Sequence, residues 1–138
     1  MEIRNCFYRI SVKALVQSEN RDKFLIVKED DGRWDLPGGG LDWGVTPHED
    51  LPREISEEMG VGVTWVAEHP SYFLTCQNSK NEFWMANVFY ETKLESLDFI
   101  PSKECTEVRF VTADELKEIE LFPNLKLFGE MFDPVRYL

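Results

Sequence analysis

The stretch Pro37–Val61 reads PGGGLDWGVTPHEDLPREISEEMGV and decides the fold of this chain. Three of its acidic residues, Glu54, Glu57 and Glu58, are spaced three and four residues apart, so on a helix their carboxylates occupy neighbouring positions of one face. Like charges so placed repel each other unless a positive charge lies between them. Because hard divalent cations prefer oxygen ligands, three such carboxylates beside a Gly-rich turn predict a metal site.

The length and net charge of the chain limit its number of domains and the classes of partner that it can bind. A chain of 138 residues predicts a single domain, 1–138, that is long enough to bury a proper core. The net charge is -11, and no basic stripe of the kind that binds polyanions is visible. These observations argue against a nucleic-acid polymer as partner. A small anionic substrate remains compatible with them if metal ions neutralise its charge.

The cysteines and the N-terminal segment predict a compartment. Cys6, Cys76 and Cys105 are odd in number and far apart, which indicates neither a disulfide framework nor a CxxC metal site. A reducing, cytoplasmic environment fits this usage best. The first residues, MEIRNCFYRISV, lack an apolar signal core, and no apolar run approaches membrane-spanning length, so we expect no membrane partner.

Strand patterns cover much of the chain. The first has the period-2 alternation of a half-buried strand, since Tyr8, Ile10 and Val12 alternate with mostly polar residues. A polar loop is expected at Gln77–Asn81. The predicted strands and β-rich stretches are Tyr8–Val16, Phe24–Val27, Trp34–Leu36, Val61–Leu74, Phe83–Lys93 and Thr106–Val111.

Three helices are predicted between and after these strands. The first begins near Thr46, with the pattern of a capping box, and ends at Gly60. The second begins at Thr112, and the third follows Pro123. Strands interleaved with helices predict a mixed sheet covered on both faces. The third helix is expected to bury Leu125, Phe128, Met131 and Phe132.

One residue conflicts with the first helix. Pro52 falls well inside it, removes the backbone hydrogen bond to His48 and costs roughly 3 kcal/mol if the helix stays straight. Either the helix kinks there, or its regular part starts late with Asp50 as the N-cap. Both alternatives keep residues 53–59 helical, and these carry the carboxylates.

The segment resembles the Nudix box. That motif consists of a glycine, five residues, a glutamate and seven residues, followed by Arg-Glu, an aliphatic residue, any residue, Glu-Glu, any residue, glycine and an aliphatic residue. Here the glycine is Gly39, and Arg53–Val61, REISEEMGV, matches the right-hand half without a mismatch. The preceding Leu36-Pro37-Gly38 also has the look of the family. The resemblance implies a Nudix-type α/β/α sandwich, a mixed α+β fold with a mixed β-sheet between helices.

The resemblance also implies an activity, namely hydrolysis of a nucleoside diphosphate linked to another group, with Mg²⁺ or Mn²⁺ as cofactor. A diphosphate is a poor electrophile because its oxygens repel a nucleophile, and bound cations screen that charge and lower the pKa of a bound water. No subfamily motif for dinucleotides or coenzyme A is evident. By elimination, a nucleoside triphosphate or a nucleotide sugar is the favoured substrate.

Roles in the site follow from the same resemblance. Glu57 and Glu58 are the leading metal ligands, Glu54 is a ligand or the general base, and the carbonyl of Gly38 is a further ligand because glycine allows close backbone approach. Coupled carboxylates titrate as a group, so the assignment of one base stays open.

Two more positions complete the predicted site. Arg53 is an orienting residue in the catalytic set, placed to pair with Glu57 at i,i+4. A distal glutamate completes sites of this kind, and the candidates are Glu104, which we take as the metal ligand, and Glu107.

One position departs from the box, because Val45 stands where a glutamate is expected. In the family that glutamate supports the arginine and the metal cluster. Asp42 or Glu49 lies close enough in sequence to replace it as the partner of Arg53. The departure also motivates an alternative function, a non-catalytic Nudix-fold module that binds a nucleotide or a protein partner.

Aromatic and amide side chains are candidates for substrate binding. Trp34 and Trp84 are of the type that stacks on nucleobases, although such residues on strands usually belong to the core. Asn124 can read a base edge, since an amide both donates and accepts, or it can be a helix-start residue. The oligomeric state stays open, with a homodimer among the expectations.

Overall fold

Two hydrogen-bonded sheets lie at the centre of the fold in a computed structural model that describes residues 6–78, 82–119 and 121–136. Ser79, Lys80 and Asn81 of the predicted polar loop lie outside the described residues. The strands are β1 Arg9–Leu15, β2 Phe24–Lys28, β3 Trp34–Asp35, β4 Gly38–Gly40, β5 Val63–Val66, β6 Tyr72–Gln77, β7 Trp84–Leu94 and β8 Glu107–Val111.

The first sheet is mixed and carries the Gly-rich segment at its edge. Its order is β4-β1-β7-β5, and β6 also pairs with β7. Strands β1 and β7 run parallel, whereas β4 pairs antiparallel with β1. The second sheet, β3-β2-β8, is antiparallel. The predicted mixed sheet is confirmed, divided into two hydrogen-bonded sets.

Helices cover the strands on both sides, which confirms the α/β/α sandwich. Helix α1, Pro47–Met59, packs Leu51 and Ile55 against β1 and β2, where Val12 and Leu25 are fully buried. Helix α2, Pro123–Met131, closes the other side with a second, aromatic-rich core. Buried members of that core are Phe24, Trp34, Tyr72, Phe89, Leu125, Phe128 and Phe132.

The ends of α1 agree with the sequence pattern. The side chain of Thr46 accepts a hydrogen bond from the amide of Glu49 at 3.2 Å, as expected of an N-cap. Gly60 ends the helix with a left-handed φ of 68°. The helix contains Pro52 and begins at Pro47, so the alternative in which Asp50 caps a late start is wrong. Asp50 is instead a buried residue of the first turns.

Three local expectations are corrected. The triple glycine, which alone suggests a turn, forms β4, because its backbone pairs with residues 11–13 of β1. The helix expected after Thr112 is a single 3₁₀-helix, Asp114–Glu118, although Thr112 and Glu115 do form the predicted capping box. Met131 is partly exposed, since it lies beside the face that buries Phe128.

No helix in the described part of the chain could span a membrane. None of them combines sufficient length with sufficient apolarity to cross a bilayer.

Candidate active site

A cleft of about 490 Å³ opens where the Gly-rich strand β4 meets helix α1. Its walls come from β1, β4, α1 and the start of α2, and they are largely polar. Of the predicted site residues, Gly38, Arg53, Glu54, Glu58, Glu104 and Asn124 line this cleft, whereas Glu57, Trp34 and Trp84 do not line it in the described ranges.

Glu58 lies at the base of the cleft, where the helix meets the Gly-rich strand. It is only 5% exposed, and its carboxylate accepts a hydrogen bond from the amide of Gly38 at 3.2 Å. Burial raises the pKa of Glu58 well above its usual value; Lys13 lowers it and the nearby charge of Glu104 raises it further. A buried carboxylate in such a place favours a cation.

Gly38 allows this contact because no side chain fits there. Its φ is 139°, and a Cβ atom would lie 2.1 Å from the carbonyl oxygen of Val12 on the neighbouring strand. The backbone of β4 therefore approaches β1 more closely than any other residue type permits. The close approach leaves the Gly38 amide aimed at α1.

Glu54 is the second carboxylate at this wall. It lies against Gly39, where a Cβ atom would come within 2.8 Å of its Oε2. Burial raises the pKa of Glu54, Arg53 lowers it, and the negative charges of Asp50 and Glu57 raise it. Glu54 and Glu58 are one helical turn apart, so α1 directs both carboxylates towards the same part of the cleft.

Arg53 holds Glu57 on the outer side of the helix. Its Nη1 donates to both carboxylate oxygens of Glu57 at 3.0 Å, which is the i,i+4 pairing that the sequence predicts. Its Nη2 donates to Glu54 at 3.0 Å and to Asp50. Because Glu57 is 57% exposed at its side chain and bound to Arg53, its predicted role as a metal ligand stays a prediction.

The partner of Arg53 differs from both candidates that the sequence suggested. Asp42 instead accepts a hydrogen bond from Arg9 at 3.4 Å, and in the described part of the chain Glu49 forms no ion pair with Arg53. The buried carboxylate of Asp50 takes that place. Hydrogen bonds to Asp50 and Glu57 raise the pKa of Arg53 and keep it charged.

The donor set fits a hard divalent cation by its chemistry. Within residues 6–78, 82–119 and 121–136, no three acidic, histidine or cysteine side chains are gathered closely enough to enclose an ion. Two carboxylates of raised pKa, the partly buried Glu54 and the buried Glu58, nevertheless share one wall with the Gly38 backbone. Magnesium keeps several waters and needs few carboxylates, so oxygen donors of this number are sufficient.

Glu104 and Glu107, the two candidates for the distal glutamate, occupy different places. Glu104 lines the cleft, and its charge acts on Glu58. Glu107 begins β8 and pairs with Arg109 at 3.6 Å. Of the two, Glu104 is the one that lines the cleft, and its role as a metal ligand stays a prediction.

A buried ionic network in the cleft escaped the sequence reasoning. The ammonium group of Lys13, 7% exposed, donates to Asp35 at 3.1 Å, and the amide of Asn124 donates to the other oxygen of Asp35 at 2.8 Å. Burial lowers the pKa of Lys13, but the charges of Asp35 and Glu58 outweigh it and raise the value above 10.5. Asn124 is thus both a helix-start residue and a wall of the cleft.

A signal for this network was present in the alternation of β1. Arg9, Ser11 and Lys13 are the polar partners of the apolar positions, and such residues are normally expected to face solvent. Here they line the cleft instead. Two basic residues on one strand face of an acidic chain were the available indication of an anionic ligand.

The two predicted stacking residues lie elsewhere. Trp34 is 4% exposed in the core, and the guanidinium of Arg109 lies 4.9 Å from its ring centroid. Trp84 is half exposed and meets Tyr8 edge to face at 6.3 Å. Their role in substrate binding stays a prediction, and the burial of Trp34 weighs against it.

Comparison with known proteins matches this chain to one family. A family model described as NUDIX domain matches residues 7–131. The chain is 31% identical over 111 residues to a MutT-like protein of Streptomyces ambofaciens, covering 80% of this chain and 68% of that protein. It is 31% identical over 95 residues to a putative 8-oxo-dGTP diphosphatase 3 of Mycobacterium tuberculosis, covering 67% of this chain and 43% of that protein. The chain thus spans less than half the length of the mycobacterial relative.

Solved structures share the fold. The MutT protein of Methanosarcina mazei Go1 superposes with a TM-score of 0.73 at 24% identity, covering 91% of this chain and 93% of that one. The solution structure of the E. coli ORF135 protein gives a TM-score of 0.73 at 15% identity, over 94% of this chain and 91% of that one. Both likenesses concern the fold alone.

Proposed function

This chain belongs to the Nudix family, and we propose that it hydrolyses a nucleoside diphosphate linked to another group, with Mg²⁺ or Mn²⁺ bound in the cleft beside α1. The observation that carries the proposal is a pair of carboxylates, the buried Glu58 and the partly buried Glu54, that line the cleft beside the Gly-rich strand. Arg53 and the Gly38 amide each satisfy part of this negative charge, and a cation between the two carboxylates would offset the rest of the cost of burying them.

The residues assigned to the metal are Glu54, Glu58, the carbonyl of Gly38 and Glu104, which also lines the cleft. A cation held by these residues would screen the charge of the diphosphate and would lower the pKa of a water bound to it. Glu57 stays a proposed ligand, and its side chain must leave Arg53 to reach the cleft.

Glu54 is proposed to accept the proton of the attacking water. Burial raises its pKa, which favours proton acceptance, and the 3.0 Å hydrogen bond from Arg53 lowers the pKa and favours the ionised form. The water attacks phosphorus, the bridging P–O bond breaks, and the leaving phosphate carries the electron pair.

The favoured substrate is a nucleoside triphosphate or a nucleotide sugar. Relatives named 8-oxo-dGTP diphosphatase and nucleoside triphosphatase NudI, and the fold neighbour named UDP-X diphosphatase, support this class. Arg9 and Lys13 supply positive charge to the cleft for a small anion, and Asn124 offers an amide to a base. The net charge of -11 and the scattered cysteines support a small-molecule substrate in the cytoplasm.

The test is a product-resolved screen of nucleoside triphosphates and nucleotide sugars with Mg²⁺ or Mn²⁺. We expect one class to be cleaved, and Glu54→Gln to lower kcat by about 10²–10⁴-fold as expected for loss of a general base. Glu68→Gln, a matched change at an exposed residue far from the cleft, should leave the rate unchanged. Metal-dependent binding without any product would instead support the non-catalytic module.

A further inference from the structure

We propose that Asp50 is a positioning residue that supplies, from within α1, the carboxylate that the Nudix box places at position 45. The metal site it supports is the one of the proposed function, but the contact between Asp50 and Arg53 is tested separately from catalysis. The proposal concerns a residue that the box pattern leaves unassigned.

The ion pair between Asp50 and Arg53 is buried at its carboxylate end and exposed at its guanidinium end. Asp50 is 1% exposed, and its Oδ1 accepts a hydrogen bond from Nη2 of Arg53. Its Oδ2 is buried and has no hydrogen-bond partner among the described residues. A buried carboxylate with one unsatisfied oxygen costs free energy that an opposite charge must offset. Arg53 is the cation that does so, and the Asp50 carboxylate therefore strongly prefers contact with Arg53 to contact with water.

The position of Asp50 on the helix explains how it can replace a residue five positions earlier. Thr46 is the N-cap, so Val45 is the residue before the cap and Asp50 is the fourth residue of the helix. Side chains at these two positions meet at the start of a helix, in the arrangement known as the hydrophobic staple. A glutamate before the cap and the shorter aspartate inside the helix therefore deliver a carboxylate to the same region. In this chain Val45 is apolar and half-buried, and the charge is at Asp50.

The contact matters because Arg53 organises two further carboxylates. The same guanidinium binds Glu57 through Nη1 and Glu54 through Nη2, each at 3.0 Å. Fixing Nη2 on Asp50 fixes the plane of the guanidinium, and with it the place of both glutamates. Asp50 thus acts on the cleft through Arg53, without lining it.

The experiment compares Asp50→Asn, the double variant Val45→Glu/Asp50→Asn and the control Glu49→Gln. Glu49 is the adjacent, exposed carboxylate of the same turn, so its change alters the net charge equally. Three measurements are made: Mn²⁺ affinity by electron paramagnetic resonance without substrate, the side-chain N–H signals of Arg53 by NMR, and kcat and KM on the best substrate of the screen.

The expected result is a selective loss and its rescue. Asp50→Asn should broaden or shift the Arg53 side-chain signals and weaken Mn²⁺ affinity or kcat by about 10–100-fold, the usual effect of removing a supporting partner. The double variant should recover at least half of that loss on a logarithmic scale, and Glu49→Gln should match the wild type. Unchanged Arg53 signals and Mn²⁺ affinity in Asp50→Asn, or no recovery in the double variant, would overturn the proposal.

If Asp50→Asn fails to fold, Arg53→Met removes the same contact from its exposed end, and wild-type Mn²⁺ affinity in that variant overturns the proposal. If the wild-type protein cleaves no substrate, the proposed function fails, while the NMR signals of Arg53 still decide the role of Asp50.

Discussion

The amide of Gly38 donates a hydrogen bond to the buried carboxylate of Glu58, with 3.2 Å between nitrogen and oxygen. This contact joins the Gly-rich strand β4 to helix α1 and brings the two halves of the box together in space. Neither partner can be replaced without consequence, because Gly38 has no room for a side chain and Glu58 is 5% exposed. The first two predictions follow from this relationship.

The metal-free protein should become less stable as the pH rises, because the buried Glu58 must then lose its proton. The pKa of Glu58 in the folded protein lies well above 4.5 because of burial, so the native state holds a proton that the unfolded state has released. The contribution is complete below pH 4.5 and is lost as the pH rises through the folded pKa. We expect the free energy of unfolding of the wild type to fall, relative to Glu58→Gln, from pH 4.5 towards neutrality, measured by urea denaturation in chelator.

Magnesium should reverse that difference. Binding to the native state alone stabilises it by mass action, so the wild type should gain stability on addition of Mg²⁺ at neutral pH, whereas Glu58→Gln should gain little. An equal gain in both proteins would show that the cation binds elsewhere.

Gly38→Ala should be far more destabilising than Gly44→Ala. Both residues have positive φ, which costs an alanine about 1–3 kcal/mol. At Gly44 the added methyl meets open space, whereas at Gly38 it meets the Val12 carbonyl oxygen at 2.1 Å. Urea denaturation of the two variants measures the difference, and similar losses would show that β4 does not need this close approach.

Lys13→Met should destabilise the fold by about 3–5 kcal/mol, because it leaves the buried carboxylate of Asp35 without its cation. The double variant Lys13→Met/Asp35→Asn removes both charges and keeps an oxygen for the Asn124 amide, so it should be more stable than the single variant. Lys117→Met, which breaks an exposed pair with Asp114, is the control and should change stability by less than about 1 kcal/mol. If Lys13→Met loses no more stability than Lys117→Met, the buried network does not stabilise the fold as described.

Asn124→Ala should raise KM more than it lowers kcat. The side chain lines the cleft on helix α2, where Asp35 holds it at 2.8 Å, whereas the carboxylates that carry the proposed chemistry are on α1. Steady-state kinetics on the best substrate, together with a thermal melt, separates loss of binding from loss of fold. A drop in kcat at unchanged KM would place Asn124 in the chemical step instead.

The sequence predicted those parts of the fold that are decided by local residue patterns. Thr46 and Gly60 mark the ends of α1 correctly because capping is decided by the residues themselves. The triple glycine was misjudged as a turn because its structure depends on pairing with β1, a partner distant in sequence. The 3₁₀-helix after Thr112 has a genuine capping box, but a box defines where a helix begins and not how far it continues.

The candidate site was predictable where the box spacing applies and not beyond it. The pairing of Arg53 with Glu57 follows from i,i+4 geometry. The choice of Asp50 as the other partner of Arg53 does not, because burial decides it and burial is not visible in the spacing of charges. Lys13 was missed for a similar reason, since the polar face of β1 lines a cleft rather than meeting solvent.

The most direct test of the account is the reaction of the best substrate in isotope-labelled water, followed by phosphorus NMR with the wild type and Glu58→Gln. The account predicts that the wild type with Mg²⁺ cleaves the diphosphate and places one labelled oxygen on a product phosphorus, while Glu58→Gln forms no product in the same time. Turnover by Glu58→Gln at the wild-type rate, or label on carbon rather than phosphorus, would contradict it.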